Sequence, residues 1–300
     1  IPFPLTDVQY AYWVGRRGLY ALGKVSTHCY FELDTEALDI KNVQNAWNVL
    51  IKKHGMMRVI VLESGEQKIL KEVPAYQIPV TDCSNLTETE KETVLKRKRE
   101  EMSHQVIDTN QWPLFDVELT VIDSSHNRLH ISFDNLILDG WSMFHILREW
   151  ADIYYNGQER DDTELSFRDY VLGLERIKHL PLYEQDKKYW MERIETLSPA
   201  PELPLAKKEE ELVEQRFHRR SHILSKENWI KLKKLAEEND ITASVLLMTA
   251  FGEVLRKYSG NPNITINLTQ FDRKPLHKDV DKLVGDFTTL TLLEMKDLKK

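Results

Sequence analysis

The sequence predicts an α/β protein built as two lobes, and three observations carry that reading. Segments with a two-residue hydrophobic period alternate with segments of helical period along the chain. The 300 residues, 41% of them hydrophobic, are enough for about two domains. Pro199, Pro201 and Pro204 then interrupt the pattern, favouring an extended stretch without regular ladder bonds. The division that follows is a first lobe at 1–180, a linker and connecting helix at 181–214, and the start of a second lobe at 215–300.

Taken in order, residues 39–53 read as a helix. Ile40, Val43, Trp47, Leu50 and Ile51 recur at helical spacing, and Gly55 lies just beyond. Residues 57–62 and 67–72 read as a hairpin around Glu63-Ser64-Gly65-Glu66. Thr87 with Glu90 forms a capping-box pattern that opens a charged helix running to about Gln105. Its run from Lys96 to Glu101 reads as a solvated face, with a partner-docking face as the alternative. Residues 115–122 and 128–133 alternate apolar and polar, as half-buried strands do. On that pattern His130 is a surface strand residue.

The segment Asp134-Asn135-Leu136-Ile137-Leu138-Asp139-Gly140 leads into a helix with Trp141, Phe144, Leu147, Ala151 and Tyr154 on one stripe. These aromatics read as core, with a substrate-lining role for Trp141 as the alternative. Two further helices fall within 166–196. Beyond the prolines come a strand at 216–224, helices at 226–238 and 242–258, and strands at 264–269 and 287–295.

Composition excludes several functions. Lys+Arg 41 against Asp+Glu 48 gives a net charge of −7, so nucleic acid is not an expected partner. No apolar run approaches the roughly 20 residues that span a bilayer, so no membrane is expected either. The opening Ile1-Pro2-Phe3-Pro4 is no secretory signal. Cys29 and Cys83 make neither a disulfide framework nor a zinc site, and read as buried or idle thiols of a cytoplasmic protein. The Gly-rich phosphate loop, GxSxG and HExxH patterns are all missing from the sequence.

Asp134 and Asp139 form the constellation with most chemical potential. Two carboxylates where a strand gives way to a helix can act as acid and base or hold a metal. They can equally cap the helix or pair with a buried arginine. The metal reading is the weaker, because no histidine lies at ligand spacing. His54 fits a helix C-terminal cap, where a cation favours the dipole. His28, His104 and His145 are isolated in the sequence.

Several strings go further. Phe3-Pro4-Leu5-Thr6, Gln9, Ala11-Tyr12 and Gly15-Arg16 together resemble the first signature of the heterocyclization domains of nonribosomal peptide synthetases, F-P-L-T/S-x-x-Q-x-A-Y-x-x-G-R. Lys53-His54-Gly55-Met56-Met57-Arg58 followed by Gly65-Glu66-Gln67 resembles the second, with Ser64 where Asn or Asp is usual. Asp134 and Asp139 match D-x-x-x-x-D. Residues 197–205 match L-P-x-x-P-x-L-P-L except for Ser198, and 285–293 match G-D-F-T-x-L-x-L-L throughout. The helix at 242–258 is similar to a further signature, with Tyr258 where tryptophan is common.

The resemblance implies two chloramphenicol-acetyltransferase-like lobes in a V with a tunnel between them, the second lobe incomplete in this chain. It implies amide formation between an upstream carrier-bound thioester and a carrier-bound Cys, Ser or Thr, then cyclodehydration to a thiazoline or oxazoline. Partners would be the donor and acceptor carrier proteins and the adenylation domain of the same synthetase. No cofactor would bind directly, since substrates arrive on phosphopantetheine arms. Plain condensation domains carry H-H-x-x-x-D-G, where this sequence has Asp134, Asn135 and Asp139-Gly140. Asn135 cannot accept a proton as imidazole can. The resemblance implies that Asp139 pairs with an arginine and that Asp134 does likewise or orients substrate. It makes Asn135, Trp141 and Thr288 candidate substrate contacts. The acid–base Thr and Asp of the family belong to signatures P-V-V-F-T-S and T-P-Q-V-x-L-D, and this sequence contains neither string. A condensation-type acyltransferase and a non-catalytic docking module of a synthetase are the alternatives.

Overall fold

Helix and strand alternate along the chain as the hydrophobic periods require. The computed structural model describes residues 1–18, 23–157, 163–208, 211–212 and 216–296. The elements are β1 (Phe3–Pro4), α1 (Asp7–Gly15), β2 (His28–Glu36), α2 (Ile40–Lys53), β3 (Val59–Val61), β4 (Glu66–Ile69), β5 (Val80–Asp82), α3 (Glu88–His104), β6 (Phe115–Val121) and β7 (His126–Asp134). After these come α4 (Gly140–Asn156), α5 (Phe167–Ile177), α6 (Pro181–Arg193), α7 (Lys226–Glu238), α8 (Ala243–Ser259), β8 (Ile264–Phe271) and β9 (Thr288–Met295). The class is mixed α/β, as the alternating periods predict.

The chain forms two compact units. The first comprises residues 1–183 and 271–289; the second comprises 184–270 and the residues from Leu290 onward. A reading of the chain in order puts 271–289 in the second lobe. Its hydrogen bonds instead run back to the start of α4, which only the folded chain reveals.

The first unit is built on a sheet of order β2-β7-β6-β5. β7 is antiparallel to β2 and β6, with His28 opposite Asp134 and Phe115 opposite Phe133, while β5 joins β6 in parallel. Trp47 of α2 covers one face, its ring 5.4 Å from Phe115 and 6.0 Å from Phe133. The other face lies beside α3, where Arg99 bonds Glu32 and Lys98 bonds Glu118. β7 is therefore buried on both faces from Leu129 to Asp134, not half-buried. His130 is sealed inside, its ring between the Tyr30 hydroxyl at 2.9 Å and the Thr120 hydroxyl at 3.0 Å. Burial pushes its pKa down to about 4, so it is neutral at physiological pH. The surface assignment fails because alternation reports one apolar face and cannot see a polar face covered by a helix.

β1, β4 and β3 make a small second sheet, and β3–β4 is the hairpin the sequence predicts. α3 is mostly exposed, in keeping with its charge, but Lys98 and Met102 turn inward. On α4 the buried stripe is Ser142, Ile146, Glu149 and Trp150. The predicted stripe is rotated away from it, leaving Trp141 57% and Phe144 66% exposed. Two buried polar residues define the inward face, and a count of apolar positions cannot register them. Cys29 and Cys83 do not form a disulfide.

In the second unit α7 and α8 follow their predicted spans, capped by Ser225 and Thr242. The strand expected at 216–224 is not formed among the described residues; the segment is exposed and has no regular secondary structure. A strand needs a neighbour to satisfy its backbone, and β8 and β9 pair with each other.

Candidate functional site

The turn from Asp134 to Asp139 sits where β7 leaves the sheet and α4 begins. Its middle residues, Leu136, Ile137 and Leu138, are fully buried and anchor it in the core. Its two ends carry the carboxylates.

Asp134 receives donors on every side. Arg16 Nη1 donates to Oδ2 at 2.7 Å and Nη2 to Oδ1 at 2.9 Å, a planar two-bond fork. Ser26 Oγ adds a bond to Oδ2 at 3.0 Å, and the Leu136 N–H adds one to Oδ1 at 3.0 Å. Four donors occupy both oxygens, so Asp134 has no lone pair left to act as a base.

Arg16 is held in place by its own helix. Thr6 opens α1 in a reciprocal capping box with Gln9. Gln9 in turn donates to the carbonyl of Leu136 inside the turn, at 2.6 Å. Arg16 stands at the helix C-terminal cap. The first signature and the D-x-x-x-x-D turn are therefore one physical unit, joined at Gln9 and Arg16.

Asp139 is the N-cap of α4 and accepts the Ser142 N–H at 2.7 Å. Its own N–H donates to the Gly285 carbonyl at 3.0 Å, and its Oδ2 accepts the Phe287 N–H at 3.2 Å. Arg273 Nη2 lies 3.5 Å from Oδ1 and donates to Ser142 Oγ at 2.9 Å. The Ser142 hydroxyl donates to the Gly285 carbonyl at 2.9 Å. Position 285 must be glycine, because a Cβ there would stand 2.2 Å from the Phe167 ring. Arg273 also donates to the carbonyls of Val280 and Leu283, and its guanidinium lies 3.8 Å from the centre of the Phe287 ring.

Next to this clasp lies Asp286, 1% exposed. Its Oδ1 accepts the Thr288 N–H at 3.1 Å, the Thr288 side chain adds a bond, and its Oδ2 has no partner among the described residues. Burial pushes its carboxyl up to about 7, and the nearby charges of Asp139 and Asp134 add to the rise. Thr288 is itself buried and hydrogen-bonded to Tyr12, whose phenol is pushed up by burial and by Asp286.

Of the candidates read from the sequence, Asp134, Asp139 and Thr288 lie around this clasp. Asn135 is half-buried and its N–H donates to the Thr27 carbonyl at 3.0 Å. Trp141 stands largely in solvent. Sequence reasoning missed Gln9, Arg16, Arg273 and Asp286 as members of the site. Arg16 ends the first signature, yet no spacing rule links it to a carboxylate 118 residues on.

A second buried carboxylate lies deeper along α4. Glu149 accepts from Lys53 Nζ on Oε1 and pairs with His54 Nε2 on Oε2, both at 2.7 Å. Burial would raise its pKa, but the bonds from His54 and Lys53 outweigh it and bring it down to about 2. His54 does end α2, as its sequence position predicts, but its ring serves Glu149 and not the helix carbonyls. His145 completes the group, with Nε2 3.7 Å from Oε2. Ligand atoms of His54, His145 and Glu149 fall within 4.8 Å of one another, the spacing a metal ion needs. Both oxygens of Glu149 already have partners, so the group is complete as a charge network. A surface pocket of about 510 Å³ lies beside Trp13, Arg16 and Arg17, with Glu63 and Asp108 also on its wall. That mixture of charge favours no anion. No helix among the described residues is long and apolar enough to cross a membrane.

A family model for the condensation domain matches residues 3–297. The chain is similar to bacitracin synthase 1 of Bacillus licheniformis, with 35% identity over 98% of this chain and 6% of that protein. It is similar to phenyloxazoline synthase MbtB of Mycobacterium sp. (strain MCS), with 32% identity over 98% of this chain and 25% of that protein. The chain thus spans a quarter or less of these relatives. Among solved structures it is similar to the EpoB cyclization-docking bidomain from Sorangium cellulosum. The TM-score is 0.90 and the identity 34%, covering 99% of this chain and 60% of that one.

Proposed function

Because the chain belongs to the condensation-domain family, we propose that it joins two carrier-bound substrates and then closes a heterocycle. The observation that carries this reading is the occupied turn. Asp134 is saturated by Arg16, Ser26 and Leu136, and Asn135 offers no basic nitrogen. A condensation that relied on imidazole at this turn has no group to use. Heterocycle formation is supported by the names of relatives, a phenyloxazoline synthase and a cyclization bidomain.

An upstream carrier would present an acyl or peptidyl thioester on its phosphopantetheine arm. A downstream carrier would present Cys, Ser or Thr, charged by the adenylation domain of the same synthetase. The unprotonated amine attacks the thioester carbonyl, the C–S bond breaks and the arm leaves as thiol. Holding both reactants in attack geometry supplies much of the rate of such a bimolecular step. The acceptor's thiol or hydroxyl then adds to the new amide carbonyl, and its oxygen leaves as water. Asp134 and Asp139 fix the wall against which this happens. The resemblance assigns the acid–base pair for water loss to P-V-V-F-T-S and T-P-Q-V-x-L-D, strings this sequence does not contain.

The test is mass spectrometry of the full synthetase module with acyl- and cysteinyl-loaded carriers. The expected acceptor gains the donor acyl group and then loses one water. Gain without water loss indicates a plain condensation domain. No gain indicates a docking module.

A further inference from the structure

Among the described residues three carboxylates are buried around the clasp, and two of them pair with a cation. Arg16 serves Asp134 and Arg273 serves Asp139. Among the described residues the hydrogen bonds to Asp286 come from Thr288 alone, from its N–H and its side chain, and Oδ2 is left without a partner. Asp134 at the end of β7, Asp139 at the start of α4 and Tyr12 on α1 are coupled to it, and the nearby cations Arg16 and Arg273 are paired with Asp134 and Asp139. Among the described residues no cation forms an ion pair with Asp286. A carboxylate in such a place is costly, whereas a carboxylic acid is not. Asp286 is also flanked by the residues that grip the turn. Gly285 accepts from Asp139 and Ser142, and the Phe287 N–H donates to Asp139.

We propose that Asp286 is a positioning residue for the turn: as a neutral acid it lets residues 285–287 clasp Asp139 and Ser142, and its ionisation lifts that clasp. The inference rests on the proposed function in one respect, that the turn's geometry sets the rate. Because the carboxyl titrates near 7, the change falls in the neutral range. The sign follows from linkage. The folded clasp holds a proton that a solvated aspartate, with a pKa near 3.9, releases. The stabilisation is therefore complete below about pH 4 and is lost as pH rises toward about 7, with no further change above. Between pH 6 and 8 the opening equilibrium shifts by about tenfold, the ratio of the two titration curves.

The experiment is amide exchange of the full synthetase module at pH 6 and pH 8, corrected for the intrinsic rate, following residues 283–289 and 136–144. The wild type is expected to open about tenfold more at pH 8. Asp286→Asn, neutral at every pH, is expected to remove that dependence. It should also remove the matching alkaline decline in amide-forming rate. A wild type whose protection ignores pH, or an Asn variant with an unchanged slope, overturns the proposal. If the Asn variant does not fold, carboxyl ¹³C titration of the wild type decides. An Asp286 carboxyl titrating in the ordinary aspartate range overturns it, and one near neutrality supports it. Exchange needs no substrate, so it reads the clasp even if the wild type forms no amide and the functional reading fails.

Discussion

Asp134 and Glu149 are both sealed from solvent, yet they are neutralised by different means. Asp134 meets a guanidinium, planar, always charged and fixed by two parallel bonds. Glu149 meets an ammonium and an imidazole from neighbouring residues, Lys53 and His54. The arginine gives Asp134 a single geometry at any working pH. Lys53 gives Glu149 a cation and His54 a hydrogen bond, with less directional restraint, since an ammonium is a point charge on a flexible stem. One carboxylate therefore acts as a rivet and the other as a tension member between α2 and α4.

The sharpest way to break this contrast is Arg16→Ala. It leaves Asp134 charged and buried, so a loss of about 3–5 kcal/mol is expected in urea denaturation. Arg16→Lys should restore only part, because the fork is lost. Asp139→Ala comes next, with an expected loss of about 2–3 kcal/mol from the helix cap and the Arg273 pairing. Arg273 keeps its carbonyl partners, which limits the damage. Folded yield should fall with activity; normal stability with abolished chemistry would contradict the structural role.

Glu149→Gln should cost about 1–3 kcal/mol at neutral pH. Glu149 has its pKa lowered from 4.5 to about 2 on folding, so its contribution is present above about 4.5 and fades as pH falls toward 2. The gap between wild type and Glu149→Gln should close over that interval in denaturation curves recorded at successive pH values. The smallest effect is expected for Asn135→Ala, within about 0.5 kcal/mol of stability. Amide formation should persist at a substantial rate, and its complete loss would show that the turn supplies more than shape.

The sequence makes the helices and the turn legible because their signals are local. Thr87 with Glu90 and the Asp139 N-cap are read within a few residues and stand as read. What escapes is whatever depends on partners far along the chain. The 216–224 segment has the pattern of a strand but no ladder. Trp141 and Phe144 look like core until Ser142 and Glu149 take the inward face. His130 looks like a surface residue until Tyr30 and Thr120 enclose it. Arg16 is conspicuous as the last letter of a motif, but its purpose is visible only once it touches Asp134. Asp286 is legible as the second letter of the G-D-F-T signature, but nothing in the string shows that it is buried without an ion-pair partner.

The return of residues 271–289 to the first unit bears on how such proteins can be recombined. A chimera joined anywhere between 184 and 270, the proline-rich stretch included, takes its turn from one parent and its grip from the other. The two parents must then agree at positions 142, 273 and 285, where hydroxyl, guanidinium and a missing side chain interlock. A graft that ignores them inherits a mismatched buckle, however well each half folds.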